Sequence, residues 1–413
     1  MSFERSFDVI VAGAGVAGVA AALEAARNGL RTALVEKTIL VGGLATAGLV
    51  NVYLPLCDGN GTQVTFGIAE EMLHLSLRYG PGDVPRSWRE GQKPGAYARY
   101  LAVFSPASFV LGLDEALAET GVELWLDTLV CAPVLASGRI VGVEVENKSG
   151  RGLLRAKCVV EATGDADVAF RSGAACVEGE NWLSIWAAQA SLETAQKAVA
   201  QGSGAALLDL VRLGGDDAGR GAPLSRKWHG TSGEDVTQFV LETRRLLREH
   251  YKARHAELGP SGRHDLFPLT LPAMAQYRTT RRIVGQATLS DGQQGRHAAD
   301  SVGLVADWRK VGQVWEIPYG TLLPRGPKGL IAAGRCISSE GDAWQVTRVI
   351  PPAALTGQVV GLAATLAARG DTAPDDLDAA DIQQELRKKG IPIHLGDVGL
   401  PAGGHGEAGG LAN

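Results

Sequence analysis

The sequence predicts an α/β fold into which a second, α+β domain is inserted. Residues 8–35 have the pattern of a strand, a glycine-rich turn, a helix and a second strand. Short apolar strands of the same kind recur near residues 158–161 and 330–333. Between these two strands, residues 177–275 change to helical periodicity. Together these observations predict a Rossmann-like nucleotide-binding domain that is assembled from separated segments around an insertion.

The composition is that of an ordinary globular protein. The 413 residues are 45% hydrophobic and 21% charged with a formal net charge of −5, so no basic excess indicates nucleic acid as a partner. The five cysteines form no C-x-x-C pair, which argues against a disulfide scaffold and a zinc site. No targeting signal is visible, and the uncharged stretch 38–57 is interrupted by glycines and a proline. We therefore expect a cytoplasmic protein without a membrane span.

The first supersecondary unit is a complete βαβ motif. Asp8–Val11 is a buried strand, and the helix after the glycine-rich turn runs to about Asn28, where Gly29 ends it. Thr32–Val35 is the second strand, and Glu36 follows it directly. This context makes the glycine spacing of the turn meaningful, because a glycine motif alone is weak evidence.

The glycine spacing in this motif indicates a dinucleotide site. Gly13 makes the tight turn, Gly15 lets a pyrophosphate approach the backbone, and Gly18 lets the helix pack closely on the strand. The helix N-terminus supplies amide donors, and Glu36 accepts hydrogen bonds from a ribose. The predicted contacts are Gly13, Gly15, Val16, Ala17, Gly18, Glu36 and Lys37.

The loop after Glu36 favours FAD over NAD as the dinucleotide. No charged residue occurs between Lys37 and Asp58, and the loop combines paired glycines with small apolar residues. An NAD enzyme has no need for such a loop, whereas a bound FAD lies extended across the protein and must be covered by nearby backbone. The predicted contacts in this loop are Gly42, Gly43, Leu44, Ala45 and Thr46.

The remaining patterns divide the chain into three parts. They predict helices over 107–120, 234–258, 352–368 and 381–389, strands at 123–126, 129–131, 158–160, 315–317 and 330–333, and a hairpin turn at Ser137-Gly138. The predicted FAD-binding domain comprises residues 1–176 together with 315–370. Residues 177–314 are the predicted inserted substrate domain, rich in helices, and residues 371–413 form a C-terminal helix and a glycine-rich tail.

Several motifs in combination resemble one family. They are Asp8–Gly18, Val35–Lys37, Gly42–Asn51, Glu161–Asp167, Tyr277–Ile283, and Ile317–Gly320 with Ala333–Ser338 and Arg348–Pro351. The set is similar to FAD-dependent oxidoreductases with a two-dinucleotide-binding-domain FAD fold of the glutathione-reductase type. These enzymes are distant relatives of the flavoprotein subunits of fumarate reductase and succinate dehydrogenase. The resemblance spans about residues 5–395 and implies the fold and the FAD cofactor rather than a particular substrate.

The resemblance also implies further cofactor contacts. The turn after the strand at 158–160 would lie beside the ADP half of FAD, and Val130 would contact the adenine through its backbone. Arg335 stands where many flavoproteins carry an acid near the ribityl chain, so this chain departs from the pattern there. Pro352 begins a helix whose N-terminus would point at N1 and the C2 carbonyl of the flavin. The implied contacts are Val130, Ala162, Thr163, Gly164, Asp165, Gly334, Arg335, Pro352 and Gly357.

Arginines supply most of the catalytic candidates. Arg278 and Arg281 share a motif and are predicted to bind a substrate carboxylate over the flavin, and Arg348 lies beside the predicted flavin helix. Asp342 is a candidate acid or base. The alternative interpretation is that these arginines form salt bridges between domains.

We therefore expect an enzyme that transfers a hydride between a small anionic organic substrate and N5 of FAD, without a metal. The alternatives are an NAD(P)H-dependent flavin monooxygenase and a protein that binds FAD without catalysis, including a tRNA-associated one. No second glycine motif of this type follows a strand. Electrons are accordingly expected from the substrate, from transiently bound NAD(P)H or from an electron-transfer partner.

Overall fold

The computed structural model describes residues 1–84 and 101–403, so the glycine-rich tail after residue 403 lies outside the described residues. The strands are β1 (Phe3–Ser6), β2 (Val9–Ala12), β3 (Thr32–Val35), β4 (Val52–Tyr53), β5 (Ala102–Val103), β6 (Glu123–Trp125), β7 (Leu129–Ala136), β8 (Arg139–Asn147), β9 (Gly150–Arg155), β10 (Cys158–Glu161), β11 (Cys176–Glu178), β12 (Ser184–Ser191), β13 (Leu210–Gly214), β14 (Leu266–Thr270), β15 (Arg281–Ile283), β16 (Ser301–Ala306), β17 (Val314–Pro318) and β18 (Leu330–Ala332). The helices are α1 (Val16–Arg27), α2 (Ile68–Leu77), α3 (Pro106–Thr120), α4 (Asp167–Arg171), α5 (Leu192–Gln201), α6 (Gly233–Leu258), α7 (Gly262–Asp265), α8 (Gly341–Thr347), α9 (Ile350–Arg369) and α10 (Ala379–Lys388).

A five-stranded parallel sheet with the order β18-β10-β2-β3-β6 forms the centre of the fold. Every residue of β2, β3, β10 and β18 is buried, which is typical of parallel strands that are covered on both faces. The strands predicted from the first βαβ unit, from 158–160 and from 330–333 therefore meet in one sheet. The mixed α/β fold is confirmed.

The carboxyl ends of these strands lie along one edge of the sheet. The turn after β2 begins at Gly13, the turn after β3 at Glu36, the turn after β10 at Ala162, and the turn after β18 at Ala333. In open α/β sheets, ligands bind outside the carboxyl ends of the strands. The topology thus brings together four turns that are far apart in sequence.

Helix α9 packs along α1 behind this edge. A Cβ added at Gly357 would lie 2.2 Å from the carbonyl oxygen of Ala17, and one at Gly361 would lie 2.5 Å from that of Ala21. Gly357 therefore permits close contact of two helix backbones, which corrects its predicted role as a cofactor contact. By length and hydropathy α9 is the one described helix that meets the criteria for a membrane span, but 89% of its apolar window is buried inside the protein.

A second sheet, β1-β9-β8-β7, contains the predicted hairpin. Ser137 and Gly138 connect β7 to β8 with φ values of 47° and 74°, as expected for a two-residue turn that matches the twist of its strands. The hairpin is confirmed. It places Leu129 and Val130, at the start of β7, next to the central sheet edge.

A third sheet, with the order β13-β12-β14, is antiparallel and packs against the long helix α6. Leu247 and Tyr251 of α6 are buried in one cluster with Val211 and Leu266 of the strands. Ser232 caps the helix, since its side chain accepts a hydrogen bond from a first-turn amide. The region predicted to be rich in helices thus holds a sheet as well.

Strands β16 and β17 form an antiparallel pair across the predicted domain boundary at residue 314. Leu304 pairs with Glu316 and Val305 with Trp315, so the boundary falls inside β17, and paired residues lie on either side of it. The division into domains stays a prediction.

Candidate active site

A cleft runs along the carboxyl edge of the central sheet. Most of the predicted cofactor contacts line it together, although they come from distant parts of the chain. They are Gly13, Gly15, Val16, Ala17, Glu36, Lys37, Gly42, Gly43, Leu44, Ala45, Ala162, Thr163, Gly164, Gly334 and Arg335. The cleft also contains Thr38, Ala47, Met274, Ala333, Arg348, Ile350 and Ala353, most of which the sequence did not single out for the cofactor.

The three glycines of the first turn have three different environments. A Cβ added at Gly15 would meet no heavy atom of the described chain within 4 Å, so this position faces open space in the cleft. Gly13 has a φ of +97°, and its Cβ would lie 2.6 Å from the carbonyl oxygen of Ala162 on the neighbouring turn. Gly18 lies behind the cleft, where a Cβ would collide with the carbonyl of Gly13 at 1.8 Å. The turn is therefore tight at Gly13 and Gly18, and bare toward the cleft at Gly15.

Glu36 is held in a fixed orientation at the end of β3. One carboxylate oxygen accepts a hydrogen bond from the amide of Ala14 at 2.9 Å, and the other accepts one from the amide of Thr38 at 2.9 Å. The residue is buried but lines the cleft. A carboxylate oriented in this way retains acceptor capacity for a ribose diol.

The loop at 42–46 packs directly against the first turn. The amide of Gly42 donates to the carbonyl of Ala14 at 2.7 Å, and Gly15 and Gly42 form a parallel bridge. Thr46 does not line the cleft: its hydroxyl donates to the carbonyl of Val41 at 2.5 Å, and the side chain is buried. Thr46 therefore stabilises the loop rather than contacting a ligand.

Val130 lies in a recess that continues the cleft beyond Glu36. The recess is also lined by Lys37, Leu129 and Thr163. The carbonyl of Val130 already accepts a hydrogen bond from Arg171 at 3.1 Å. The second lone pair of this carbonyl is still available, and the implied backbone contact to adenine stays a prediction.

At the far end of the cleft, helix α9 presents its N-terminus. Ile350 and Ala353 line the cleft, whereas Pro352 does not. The N-cap Val349 has no polar side-chain atom, and Pro351 and Pro352 have no N–H, so Ile350 carries the one backbone amide among the first three residues of the helix. The amide of Gly334 donates to the hydroxyl of Thr356 at 3.0 Å, which fixes the helix against the end of β18. An uncapped, positively polarised helix end suits a ligand that carries negative charge.

These features together fit an extended dinucleotide. The opening at Gly15, the oriented carboxylate of Glu36 and the start of α9 all line one cleft. Gly15 would admit a pyrophosphate, Glu36 would hold a ribose, and α9 would face the isoalloxazine ring.

Arg335 is used within the protein instead of projecting freely toward a ribityl chain. Its guanidinium donates to the carbonyl of Gly164 at 2.5 Å and to that of Tyr277 at 2.7 Å, and it pairs with Asp165. Burial raises the pKa of Asp165, but Arg335, with Thr280 and Lys37, outweighs this effect and lowers the pKa overall. The pair therefore connects the turn after β10 to the end of β18 as a charged link.

A second cavity, of about 340 Å³, adjoins the cleft and shares Leu44, Ala45, Arg348 and Ile350 with it. Of the predicted catalytic residues, Arg278 and Arg348 line it. We call it the side cavity.

One carboxylate joins the two arginines of the side cavity. Arg278 contacts one oxygen of Asp217 at 3.1 Å, and Arg348 contacts the other at 2.8 Å. Burial lowers the pKa of Arg348 to about 10, a fall that Asp217 opposes and that Arg278, Arg309 and Arg335 reinforce. Arg348 is nevertheless charged at neutral pH, so two guanidinium groups that line the side cavity flank a single acid.

Arg281 and Asp342 lie elsewhere, which corrects their predicted catalytic roles. The guanidinium of Arg281 stacks on Phe170, contacts Asp167 at 3.0 Å and donates to the carbonyl of Thr231. Asp342 pairs with Arg309 at 3.1 Å and with Lys310. Arg281 is on strand β15 and Arg278 is in the loop before it, so residues three apart in sequence point into different surroundings. Both Arg281 and Asp342 form structural ion pairs.

Sequence reasoning missed two residues of the side cavity. Trp186 on β12 is directly opposite Arg212 on β13, and the guanidinium lies over the indole at 4.1 Å from the ring centroid. Both line the side cavity. Residues 186 and 212 meet only through antiparallel pairing, and the sequence carries no signal that would have placed them beside the flavin loop.

Among the described residues, one group of side chains could hold a metal ion: His297, Glu316 and His394, whose ligand atoms lie within 4.8 Å of one another. The carboxylate of Glu316 already accepts hydrogen bonds from the imidazole of His394 at 3.0 Å and from the amides of Ala298 and Leu395 at 2.8 Å. These bonds satisfy the buried acid, and we assign no metal to it.

The parallel sheet and its cleft define the class of protein as a dinucleotide-binding oxidoreductase. The chain belongs to the FAD dependent oxidoreductase family, whose model matches residues 8–186 and 193–386. Membership implies an FAD cofactor and an oxidoreductase activity, as the motifs in the sequence had indicated.

The chain is similar to several named proteins. Digeranylgeranylglycerophospholipid reductase of Picrophilus torridus is 29% identical over 163 residues, which are 39% of this chain and only 40% of that protein. The p-nitrophenol 4-monooxygenase PnpA from Pseudomonas putida has a TM-score of 0.50 and 14% identity, covering 93% of this chain and 85% of that one. Sdh1 of Mycobacterium smegmatis has a TM-score of 0.44 and 15% identity, covering 93% of this chain and 72% of that one. At these identities the structural likeness concerns the fold.

Proposed function

We propose that this enzyme transfers a hydride between N5 of FAD and a small organic anion, and that Arg278 and Arg348 bind the anion in the side cavity. The observation that carries the proposal is the pair of guanidinium groups that share Asp217 beside the cleft. Arg348 lines both the cleft and the side cavity, so a ligand bound to it would lie next to the cofactor.

The charge of the side cavity supports an anionic substrate. Its described lining contains Arg212, Arg278 and Arg348 and no acidic residue, and Asp217 is the one acid that contacts two of them. Guanidinium groups bind carboxylates with two parallel hydrogen bonds, and such charge-assisted bonds are stronger than neutral ones. An incoming carboxylate would therefore replace Asp217 on at least one guanidinium.

FAD, when bound, supplies the hydride chemistry at its N5 atom. The protein's contribution is to orient the substrate and to stabilise charge. Arg278 and Arg348 fix the anionic group, and the uncapped N-terminus of α9 favours negative charge at the adjoining part of the cleft.

The inserted region supports the proposal by providing one wall of the side cavity. Strands β12 and β13 contribute Trp186 and Arg212, and the loop before β15 contributes Arg278. The other wall is the loop that follows the flavin-binding glycines. We therefore propose that residues 177–314 form the substrate-binding part of the enzyme.

The experiment is anaerobic stopped-flow reduction of the bound flavin by a panel of organic anions, by NADH and by NADPH, in wild type and in Arg278→Lys and Arg348→Lys. Lysine keeps the charge but loses the planar fork, so reduction per flavin should fall by roughly ten- to a hundredfold while FAD stays bound. Arg281→Lys is the matched control, because Arg281 lies in the same motif outside the side cavity, and its rate per flavin should not change.

Three results would overturn the proposal. If both lysine variants reduce the flavin at the wild-type rate per flavin, the side cavity does not bind the substrate. If only NADH or NADPH reduces the flavin and an organic substrate then consumes oxygen, the enzyme is a monooxygenase. A flavin that none of these compounds reduces would instead favour a protein that binds FAD without catalysis.

A further inference from the structure

The segment from Val50 to Leu54 has two faces with different surroundings. Val50, Val52 and Leu54 are half-buried and line the side cavity. Asn51 and Tyr53, which alternate with them, are 1% and 0% exposed. This alternation is what an extended segment produces, with strand β4 at its centre, and it turns a row of aliphatic side chains toward the side cavity.

The side cavity also has an aromatic part. Trp186 and Trp308 both line the side cavity. The indole nitrogen of Trp308 donates to the carbonyl of Gln345 at 3.0 Å, so its polar atom is satisfied within the protein. The rings therefore present apolar surface, and Val349 adds a further aliphatic side chain between the arginines and α9.

The apolar walls and the cationic groups are adjacent to each other. The guanidinium of Arg278 lies 5.7 Å from the centroid of the Trp186 ring, and Arg278 shares Asp217 with Arg348. A small polar dianion would satisfy the arginines but would leave the aliphatic row and the indoles in contact with water. A ligand with a charged head and an apolar body satisfies both.

On the basis of the proposed function, we infer that the substrate class is amphipathic carboxylates: one carboxylate held by Arg278 and Arg348, and an apolar body in contact with the row Val50, Val52 and Leu54 and with Trp186. Val52, at the middle of the row, is then a specificity-determining residue. It acts on the body of the ligand, whereas the arginines act on its head.

The test uses the FAD-loaded enzyme and the straight-chain carboxylates acetate, butyrate, hexanoate and octanoate, titrated while the visible spectrum of the flavin is recorded. Burial of each methylene should lower the dissociation constant by about fourfold, so affinity should rise steeply along the series. Val52→Thr replaces a methyl by a hydroxyl at nearly constant volume and should weaken hexanoate by roughly three- to tenfold while leaving acetate unchanged. Val141→Thr, at a half-buried valine of β8 in the second sheet, is the matched control and should leave the series unchanged.

Arg278→Lys separates the binding of the carboxylate from the contact with the apolar body. It should weaken the binding of every carboxylate by the same factor and leave the dependence on chain length intact. Equal affinity for acetate and octanoate in wild type, with the effect of Arg278→Lys retained, would overturn the inference and leave the proposed function standing. No binding of any carboxylate, or no effect of Arg278→Lys on any of them, would overturn the proposed function as well.

Discussion

At the scale of single residues, Gly15 offers the cleanest test of the cofactor site. Its φ of −64° and ψ of 176° are open to any amino acid, and a Cβ there meets nothing in the described chain within 4 Å. A larger side chain at this position should therefore fold normally and conflict only with a ligand.

We predict that Gly15→Val loses FAD and is as stable as wild type from which FAD has been removed. The valine methyl groups would occupy the space of the pyrophosphate, and flavin content should fall because the dissociation constant of FAD rises by at least about tenfold, which corresponds to 1.4 kcal/mol of binding free energy. The ratio of flavin to protein absorbance measures this directly. Gly233→Val is the control, because its Cβ also meets nothing in the described chain but lies at the start of α6. Normal FAD content in Gly15→Val would remove Gly15 from the site.

Asp217 offers a second test at a single residue, because its carboxylate competes with any bound anion for Arg278 and Arg348. We predict that Asp217→Asn binds hexanoate about tenfold more tightly than wild type, since the amide holds guanidinium groups less strongly than the carboxylate does. Without ligand the variant should melt at a lower temperature, because the buried Arg348 loses its counterion, and hexanoate should restore the difference. Unchanged affinity for hexanoate would mean that Asp217 is a permanent structural partner.

Residues of the cofactor site were predictable from the sequence where a short local motif sets the geometry. The positions from Gly13 to Ala17 and from Gly42 to Ala45 were found because turn, helix and strand are local patterns. The arginines at 278, 281 and 282 look alike in sequence, but only contacts between distant residues separate them: Arg278 binds Asp217, Arg281 binds Asp167, and Arg282 binds Glu340.

At the scale of elements, the contact between α1 and α9 determines whether a Gly→Ala substitution raises or lowers the free energy of unfolding. Glycine inside a helix is normally less favourable than alanine by about 1 kcal/mol, so Gly→Ala usually stabilises. At Gly357 a Cβ would lie 2.2 Å from a backbone oxygen of α1, which cannot yield without moving the helix.

We predict that Gly357→Ala lowers the free energy of unfolding by roughly 1–3 kcal/mol, the usual cost of overpacking a core. Urea unfolding monitored by circular dichroism measures this change in the free energy of unfolding. FAD content per folded protein should stay close to that of wild type. Gly233→Ala should be neutral or stabilising, because its Cβ has free space. A loss of FAD without a loss of stability in Gly357→Ala would restore its predicted role as a cofactor contact.

Elements were predictable in proportion to how local their signal is. The long helix α6, the hairpin at Ser137-Gly138 and the strands of the first βαβ unit carry clear periodicity or turn residues, and all are confirmed. Strands β12, β13 and β14 were not recognised, because they are stabilised by pairing with each other rather than by their own sequence.

At the scale of the whole molecule, the cleft is assembled from segments near residues 13–47, 162–164 and 333–353. A ligand that contacts all three adds contacts between parts of the chain that are far apart in sequence. FAD should therefore stabilise the fold as a whole by mass action.

We predict that removal of FAD lowers the melting temperature, and that adding it back raises the free energy of unfolding by about 2.7 kcal/mol when free FAD is at a hundred times its dissociation constant. Differential scanning fluorimetry with increasing FAD measures the shift. The Gly15→Val variant should show no shift over the same range. A melting temperature independent of FAD in wild type would contradict the assignment of the cleft to the cofactor.

The close contact between the first and the ninth helix also bears on how the chain is made. Helix α1 ends at Arg27 and α9 begins at Ile350, yet each is almost entirely buried, largely against the other. During synthesis the apolar face of α1 and the edge of β10 remain uncovered until β18 and α9 leave the ribosome. The N-terminal portion thus has to stay soluble with an incomplete core until α9 has been synthesised.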